Sequence, residues 1–459
     1  MNYASALAYL DAHINREASP AIAAGRVEGL SLEPIRRLMH VLGDPQTQYP
    51  VLHLTGTNGK GSVGEMITLL LEEHGLSVGT YSSPHLQRIN ERLRWTGDRL
   101  LDVDRQGEIV ARRGGRRGGA ISDEEFGRVI GAVADAEGLA GVRPSYFEIL
   151  TAASLLWFSE LPVDAAVIEV GLLGRFDATN VVDGEVAVIT NIGPDHTDFS
   201  GNWRAAIAEE KSGIVKPGSF LVVGETDPEL RPIFERAAGD RLWVRGQDFD
   251  VVSDRVAVRG RLLDLQTPGQ LIEEVFLPLH GEHQGINAAV AVAAAEAFFA
   301  RPLDPDVVRA AFARLHLAGR FEIAGRSPLL IIDGAHNPAG AAAVRQTLDE
   351  EFAREGRIVF VIGLLEGRDP DAMLEAFGVR HTDLVICCTP DSPRARPAEE
   401  LGEICRSLAL PVEVCPEVAA AVERAREVAS DADVIIVTGS IYVAGAARDA
   451  LGLAPPGME

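Results

Sequence analysis

From Val51 onward the chain alternates short apolar runs with stretches whose apolar residues return every three or four positions. That is the pattern of parallel strands joined by crossover helices. In the first half, the runs at 51–54, 78–81, 165–170, 186–191 and 220–223 read as strands. Between them, "SDEEFGRVIGAVADAEG" opens on Ser122 with Glu125 three residues on, which predicts a helix with a capping box. "SYFEILTAASLLWFSE" is apolar nearly all round and predicts a buried helix. "FDVVSDRVAVRGRLLDLQTPGQLIEEVFLPL" breaks the pattern: its β-branched residues alternate and Gly-Arg and Pro-Gly supply turns, so a small antiparallel excursion is expected.

Two helical stretches follow, "EHQGINAAVAVAAAEAFFA" and "DPDVVRAAFARLH", and then "LAGRFEIAGRSP", whose glycines, arginines and proline mark a hinge. A new alternating series begins at Leu329, with runs at 329–333, 358–362, 384–388, 412–415 and 434–437, enough for a doubly wound sheet by itself. The expected fold is therefore α/β. A P-loop-type, mostly parallel sheet domain with the antiparallel excursion takes residues 1–318, and a second, Rossmann-like doubly wound domain takes 319–459. "RRGGRRGGA" at 112–120 is glycine-rich and basic and reads as a mobile loop.

Composition narrows the partners. At 459 residues with 46% hydrophobic and 24% charged content, the chain reads as a soluble globular protein of two or three domains. A formal net charge of -24 argues against nucleic acid and anionic membrane as partners, and requires local cations to hold any anionic ligand. The N-terminal "MNYASALAYLDAHINREASP" is interrupted by Asp11, His13, Asn15 and Arg16, and no stretch approaches about 18 uninterrupted apolar residues, so neither export nor a membrane span is expected. Cys387, Cys388, Cys405 and Cys415 lack metal-ligand spacing and read as small core residues in a reducing, cytoplasmic setting.

Candidate chemistry collects at strand ends. Gly56-Thr57-Asn58-Gly59-Lys60-Gly61-Ser62 lies between a strand and a helix, where glycines turn backbone N–H groups toward an anion and the helix adds its positive end. Lys60 would reach the β- and γ-phosphates. The spacing departs from G-x-x-x-x-G-K-[ST], with two residues between Gly56 and Gly59 and a glycine between Lys60 and Ser62. A second strand ends on Glu169 before "VGLLGRFDATN", and a third leads into "TNIGPDHTDFSGN" with His196. If the three strands are parallel, one crevice gathers Lys60, Glu169 and His196. Taken singly, Glu169 could be a rim ion pair and His196 a loop histidine satisfied by Asp195 or Asp198. Lys211, beside Glu209 and Glu210, reads equally well as a solvated helix lysine. In the second half "LLIIDGAHNPAG" ends a strand on Asp333 with His336 and Asn337 following, and Arg320 sits at the hinge. Arg320 could be a hinge ion pair, and Asn337 a helix N-cap.

As a set these residues resemble the folylpolyglutamate synthase/dihydrofolate synthase family of the Mur ligase superfamily. The resemblance runs in order through "GLSLEPIRRLMHVLGDP", "HLTGTNGKGSV", "YSSPHLQRINERLR", "EVGLLGRFDATNVVD", "TNIGPDHTDFSGN", "IAEEKSGIVKPG", "GEHQGINAAVA", "LAGRFEI", "DGAHNP" and "TGSIYVAG". It implies an ATP-dependent amide ligase: the γ-phosphoryl of ATP passes to a carboxylate of a pterin substrate, dihydropteroate or a folate, and L-glutamate attacks the acyl phosphate. By the same resemblance, Lys60 and the loop from Gly56 to Ser62 hold the phosphates. Ser83, Glu169 and His196 match the positions that bind a first Mg2+, and Lys211 matches a lysine carbamylated by CO2 to hold a second. Asn287, Arg320, Asp333 and His336 match nucleotide contacts, with Lys60, Lys211, His196 and Arg320 in the catalytic set. A monomer acting on small molecules is expected. The chain departs from the family at Leu173, where glycine is usual in "GLGGR", and at Ala318, where proline is common.

Two rivals are weighed. A ligase for UDP-linked muramyl peptides would carry a UDP-binding domain before the loop, and only 55 residues precede Gly56. A nucleotide-dependent regulator without catalysis would have no need for two metal sites and a trans-domain acid. Folylpolyglutamate synthesis alone and both activities together remain open.

Overall fold

A computed structural model of the chain describes residues 1–15, 31–103, 109–194, 201–353 and 355–458. The strands, in chain order, are β1 (Val51–Thr55), β2 (Val78–Tyr81), β3 (Leu93–Val103), β4 (Ile109–Ala120), β5 (Ala165–Glu169), β6 (Val186–Ile189), β7 (Phe220–Val223), β8 (Leu242–Val244), β9 (Asp250–Ala257), β10 (Gly260–Gln266), β11 (Leu271–Leu277), β12 (Glu322–Arg326), β13 (Leu329–Ile332), β14 (Ile358–Ile362), β15 (Leu384–Cys387), β16 (Val412–Val414) and β17 (Val434–Thr438). The first sheet runs β4-β3-β2-β5-β1-β6-β7-β8, parallel from β2 to β8, with β3 and β4 added antiparallel at one edge.

The central strands β1, β2, β5 and β6 are buried on both faces, which is why they read as continuous apolar runs. Leu52, Leu54 and Val167 face one core, shared with the helices Lys60–Glu73 and Glu282–Phe299, while Val51, Ala166 and Ile168 face the other, under Asp123–Ala140 and Tyr146–Glu160. Ser122 caps its helix by accepting from the Glu125 amide at 3.2 Å. Ser145 and Glu148 form the reciprocal box, the Ser145 amide donating to Glu148 at 2.7 Å. The expected antiparallel excursion is the sheet β11-β10-β9, whose Leu263, Leu265, Ile272 and Val275 join the first core.

The second sheet runs β12-β13-β17-β14-β15-β16, parallel except for β12. Two expectations are corrected here. The hinge stretch after Arg320 is itself β12, paired antiparallel with β13. Residues 112–120 are part of β4 and pair with β3, not a loop. Gly118 answers a close backbone approach: a Cβ there would lie 2.5 Å from the Trp95 carbonyl oxygen and 2.7 Å from Thr96 Cα. All four cysteines are free thiols. Among the described residues no helix is long and apolar enough to cross a membrane.

Candidate active site

The parallel order β5-β1-β6 brings three strand ends to one edge, where open α/β sheets bind ligands. After β1 the chain turns at Gly56, where a Cβ would fall 1.8 Å from Thr190 Oγ1, so no larger residue fits. Gly59, at φ 82°, precedes the helix Lys60–Glu73, and a Cβ there would lie 2.6 Å from Asn287 Oδ1. The loop is held from beneath by the end of β6. Asn191 Oδ1 accepts from the amides of Thr57 (3.2 Å) and Asn58 (3.0 Å), and Thr190 Oγ1 donates to the Asn58 carbonyl at 2.6 Å. Lys60 Nζ donates to the Gly56 carbonyl at 3.0 Å, folding the cation back over the loop. The first amides of the helix have no intrahelical partner. Amides at a helix N-terminus, a folded-back lysine and a glycine cradle that a Cβ would fill together fit a polyphosphate.

Glu169 ends β5 with 7% of its surface exposed, and its Oε2 accepts from the Ser83 amide at 3.3 Å. Burial pushes its carboxyl above the ordinary range, and Lys60, the Ser83 amide, Arg320 and Arg92 oppose that shift. A cavity of about 140 Å³ is lined by Gly61, Ser62, Ser83, Glu169, Ala318 and Arg320, among others. A buried carboxylate beside a serine is a hard-oxygen donor set suited to a divalent cation such as Mg2+.

Lys211 is 1% exposed near the end of the helix Trp203–Ser212, which excludes the solvated reading. The turn after β5 covers it: a Cβ on Gly174 would sit 3.1 Å from Lys211 Cα, and the Arg175 amide donates to the Glu210 carbonyl at 2.9 Å. In this turn Leu173 has φ 56°, the left-handed region that favours glycine. The strain costs about 1 kcal/mol, and the burial of Leu173 offsets it. His196 lies outside the described residues.

The second domain supplies the facing rim. Asp333, after β13, accepts from the Phe321 amide on Oδ2 and the Ala335 amide on Oδ1, both at 2.7 Å. Burial raises its carboxyl pKa, opposed first by Arg320. Arg320 thus acts electrostatically on both Glu169 and Asp333. Its guanidinium passes so close to Gly334 that a Cβ there would lie 2.6 Å from Nη1. His336 Nδ1–H donates to the Gly334 carbonyl at 3.0 Å, and burial lowers its pKa to about 4, so the ring is neutral at neutral pH. Asn337 is the N-cap of the helix Pro338–Glu351, accepting from the Gly340 amide at 2.8 Å. Its Nδ2 also donates to Asn58 Oδ1 at 2.9 Å, so the two domains touch at the loop.

The structure therefore gathers the loop from Gly56 to Ser62 with Asn287, sets Ser83 and Glu169 beside it, and brings Arg320, Asp333 and His336 from across the domain contact. Sequence reasoning missed Thr190 and Asn191 as the loop's supports. Their signal was the polar pair ending an apolar strand.

Residues 134–295 match the family Mur ligase middle domain, and residues 319–441 match Mur ligase, glutamate ligase domain. The chain is 37% identical over 458 residues to a dihydrofolate synthase/folylpolyglutamate synthase of Mycobacterium tuberculosis, covering 93% of this chain and 91% of that protein. It is 31% identical to the Bacillus subtilis protein of the same description, covering 80% and 83%. Among solved structures, the M. tuberculosis folylpolyglutamate synthase complexed with ADP superposes with a TM-score of 0.85 at 34% identity over 99% of both chains. A bifunctional folylpolyglutamate synthase/dihydrofolate synthase with Mn, AMPPNP and L-glutamate bound gives 0.80 at 29% identity, covering 99% of this chain and 98% of that one.

Proposed function

The chain belongs to the dihydrofolate synthase/folylpolyglutamate synthase family and is an ATP-dependent glutamate ligase, and from that premise we propose that it joins L-glutamate both to dihydropteroate and to reduced folates. The observation that carries the reading is the shared cavity: the phosphate-loop helix start, Ser83, Glu169 and Arg320 face one space at the domain contact. A carboxylate is a poor acyl donor until one of its oxygens leaves as phosphate. In this reading the loop amides and Lys60 hold the triphosphate, and Arg320 offsets charge as the acceptor's carboxylate oxygen bonds to the γ-phosphorus and ADP leaves. The glutamate amine then attacks the acyl carbon, phosphate leaves and the amine gives up a proton. Asn287, Asp333 and His336 orient the nucleotide.

ATP and a divalent metal are the cofactors. Ser83, Glu169 and His196 are the proposed holders of one Mg2+, and Lys211, carbamylated, of a second. Bound metal neutralises triphosphate charge. In the carbamylation step the neutral Lys211 amine bonds to CO2 and loses a proton, so a cation becomes an anionic oxygen donor. What supports this is the burial of Lys211, which takes it off the solvated surface where a helix lysine would ordinarily sit. We place the domain boundary between residues 318 and 319, and the protein in the cytoplasm as a monomer.

The test is incubation with MgATP and glutamate plus either dihydropteroate or tetrahydrofolate, with product masses read directly. One added glutamyl unit on each acceptor supports the reading, and product on tetrahydrofolate alone restricts it to chain extension. Phosphate release indifferent to acceptor and glutamate overturns it in favour of a nucleotide switch. Lys211→Ala should lose activity and regain part of it with added short carboxylates, and no recovery would contradict carbamylation.

A further inference from the structure

The domains also meet around the side chain of Glu351, the last residue of the helix Pro338–Glu351. That side chain is 1% exposed and reaches three groups of the first domain. Its Oε1 accepts from the Gly281 amide at 2.7 Å and pairs with Arg261 Nη1, and its Oε2 accepts from His280 Nδ1–H at 2.6 Å. Burial pushes the carboxyl pKa up, but His280, the Gly281 amide and Arg261 together hold it below the ordinary range, so the group is an anion. Arg261, on β10, has a second acceptor in Asp254 Oδ1 at 2.5 Å.

Two paths lead from Glu351 to residues of the candidate nucleotide site. Gly281, at φ 94°, is the N-cap of the helix Glu282–Phe299 and has no side chain with which to cap it. A Cβ there would lie 2.5 Å from His283 Cε1 and 2.6 Å from Thr347 Oγ1, so the start of this helix is wedged against the second domain. Further along the same helix, Asn287 lies against Gly59 of the phosphate loop. On the other path, the His280 ring lies with its centroid 5.0 Å from that of Phe352 and 5.7 Å from that of Phe321. Phe321 follows Arg320 and gives its amide to Asp333.

We propose that Glu351 is a positioning residue for the nucleotide: it fixes the helix that carries Asn287 against the hinge segment that carries Arg320 and holds Asp333. The inference rests on the reading above of these three residues as nucleotide contacts. Asn287 comes from the first domain, and Arg320 and Asp333 come from the second. A nucleotide held by all three is sensitive to their spacing, and Glu351 sets that spacing through Gly281 and His280. Simple adhesion between the domains would need the Arg261 ion pair, whereas positioning needs an oxygen on the Gly281 amide. The two roles can therefore be separated.

The test titrates ADP calorimetrically and compares KM for ATP with kcat. Glu351→Leu takes the oxygen off Gly281 and should weaken ADP binding and raise KM for ATP by about tenfold or more, with kcat and KM for glutamate within about threefold of the wild type. Glu351→Gln keeps an oxygen on the amide and should recover most of that loss. Arg261→Met removes the buried cation and leaves Glu351 on Gly281. Its thermal midpoint should fall, while its ADP affinity stays within about threefold of the wild type. If Glu351→Leu does not fold, Glu351→Asp, which draws the oxygen back by one methylene, takes its place and should shift ADP affinity in the same direction. Wild-type ADP affinity in that variant, a Glu351→Gln as impaired as Glu351→Leu, or equal losses of ADP affinity in Glu351→Leu and Arg261→Met overturns the proposal and leaves adhesion alone. An Asn287→Ala variant that binds ADP like the wild type refutes the nucleotide reading itself, which is a separate outcome.

Discussion

Glu169 and Asp333 are both buried carboxylates at the ends of parallel strands, one in each sheet, yet the protein holds them differently. Asp333 is satisfied by its own chain, with one 2.7 Å backbone N–H on each oxygen. One of those donors is Phe321, a non-glycine residue held at φ 44° in the hinge. Glu169 receives one amide at 3.3 Å and otherwise leans on cations around the cavity. A carboxylate that the fold satisfies contributes to the fold. One left to side-chain cations at a cavity is available to a ligand, and its removal should cost activity before stability.

The largest effect should follow from Glu169→Gln, with turnover falling by about a hundredfold or more. In metal-free protein the same change should raise the thermal midpoint at neutral pH by about 1–3 °C. The sign follows from burial, which raises the carboxyl pKa in the folded state. Stability from this group is therefore full below the ordinary carboxylate pKa and lost as pH rises through the raised one, and an uncharged amide escapes that loss. A lower midpoint would show that Glu169 is as structural as Asp333.

Asp333→Ala should invert the pattern. Two buried amides lose their acceptor, at about 1–3 kcal/mol each, so the midpoint should fall by several degrees alongside a higher KM for ATP. Calorimetry beside steady-state kinetics checks both, and an unchanged midpoint would erase the contrast.

The smallest effect concerns His336, whose pKa falls from 6.5 to about 4 on folding. The folded state binds the proton less tightly, so this group's stability is present above pH 6.5 and lost as pH falls toward 4. His336→Gln should flatten the stability slope across that window. An unaltered slope would mean that the ring titrates normally.

How much of this was legible in the sequence depended on how far each determinant sits from its partners along the chain. The phosphate loop was readable because strand, glycines, Lys60 and helix are contiguous, and Glu169 because it ends an apolar run. The parallel strands β1, β2, β5 to β7 and β13 to β17 were readable to within about a residue or two at their ends, since they are apolar runs, whereas β3, β4, β8 and β12 were not read as strands. Lys211 looked solvated beside Glu209 and Glu210 because the turn that buries it, around Gly174, lies some way earlier in the chain. The glycines of β4 looked like a loop because composition does not show that Gly118 presses on Trp95 and Thr96. Arg320 was placed at a hinge, but nothing local foretold that β12 would follow it and pair with β13. Glu351 carried no motif at all. Its place against Gly281 comes from the packing of one domain on the other.

The central claim is that the cavity at the domain contact activates a carboxylic acid by phosphorylation. Turnover of an acceptor labelled with oxygen-18 in its reacting carboxylate tests it most directly. The account predicts one labelled oxygen in the released phosphate for each amide formed, and product formation with unlabelled phosphate would contradict it.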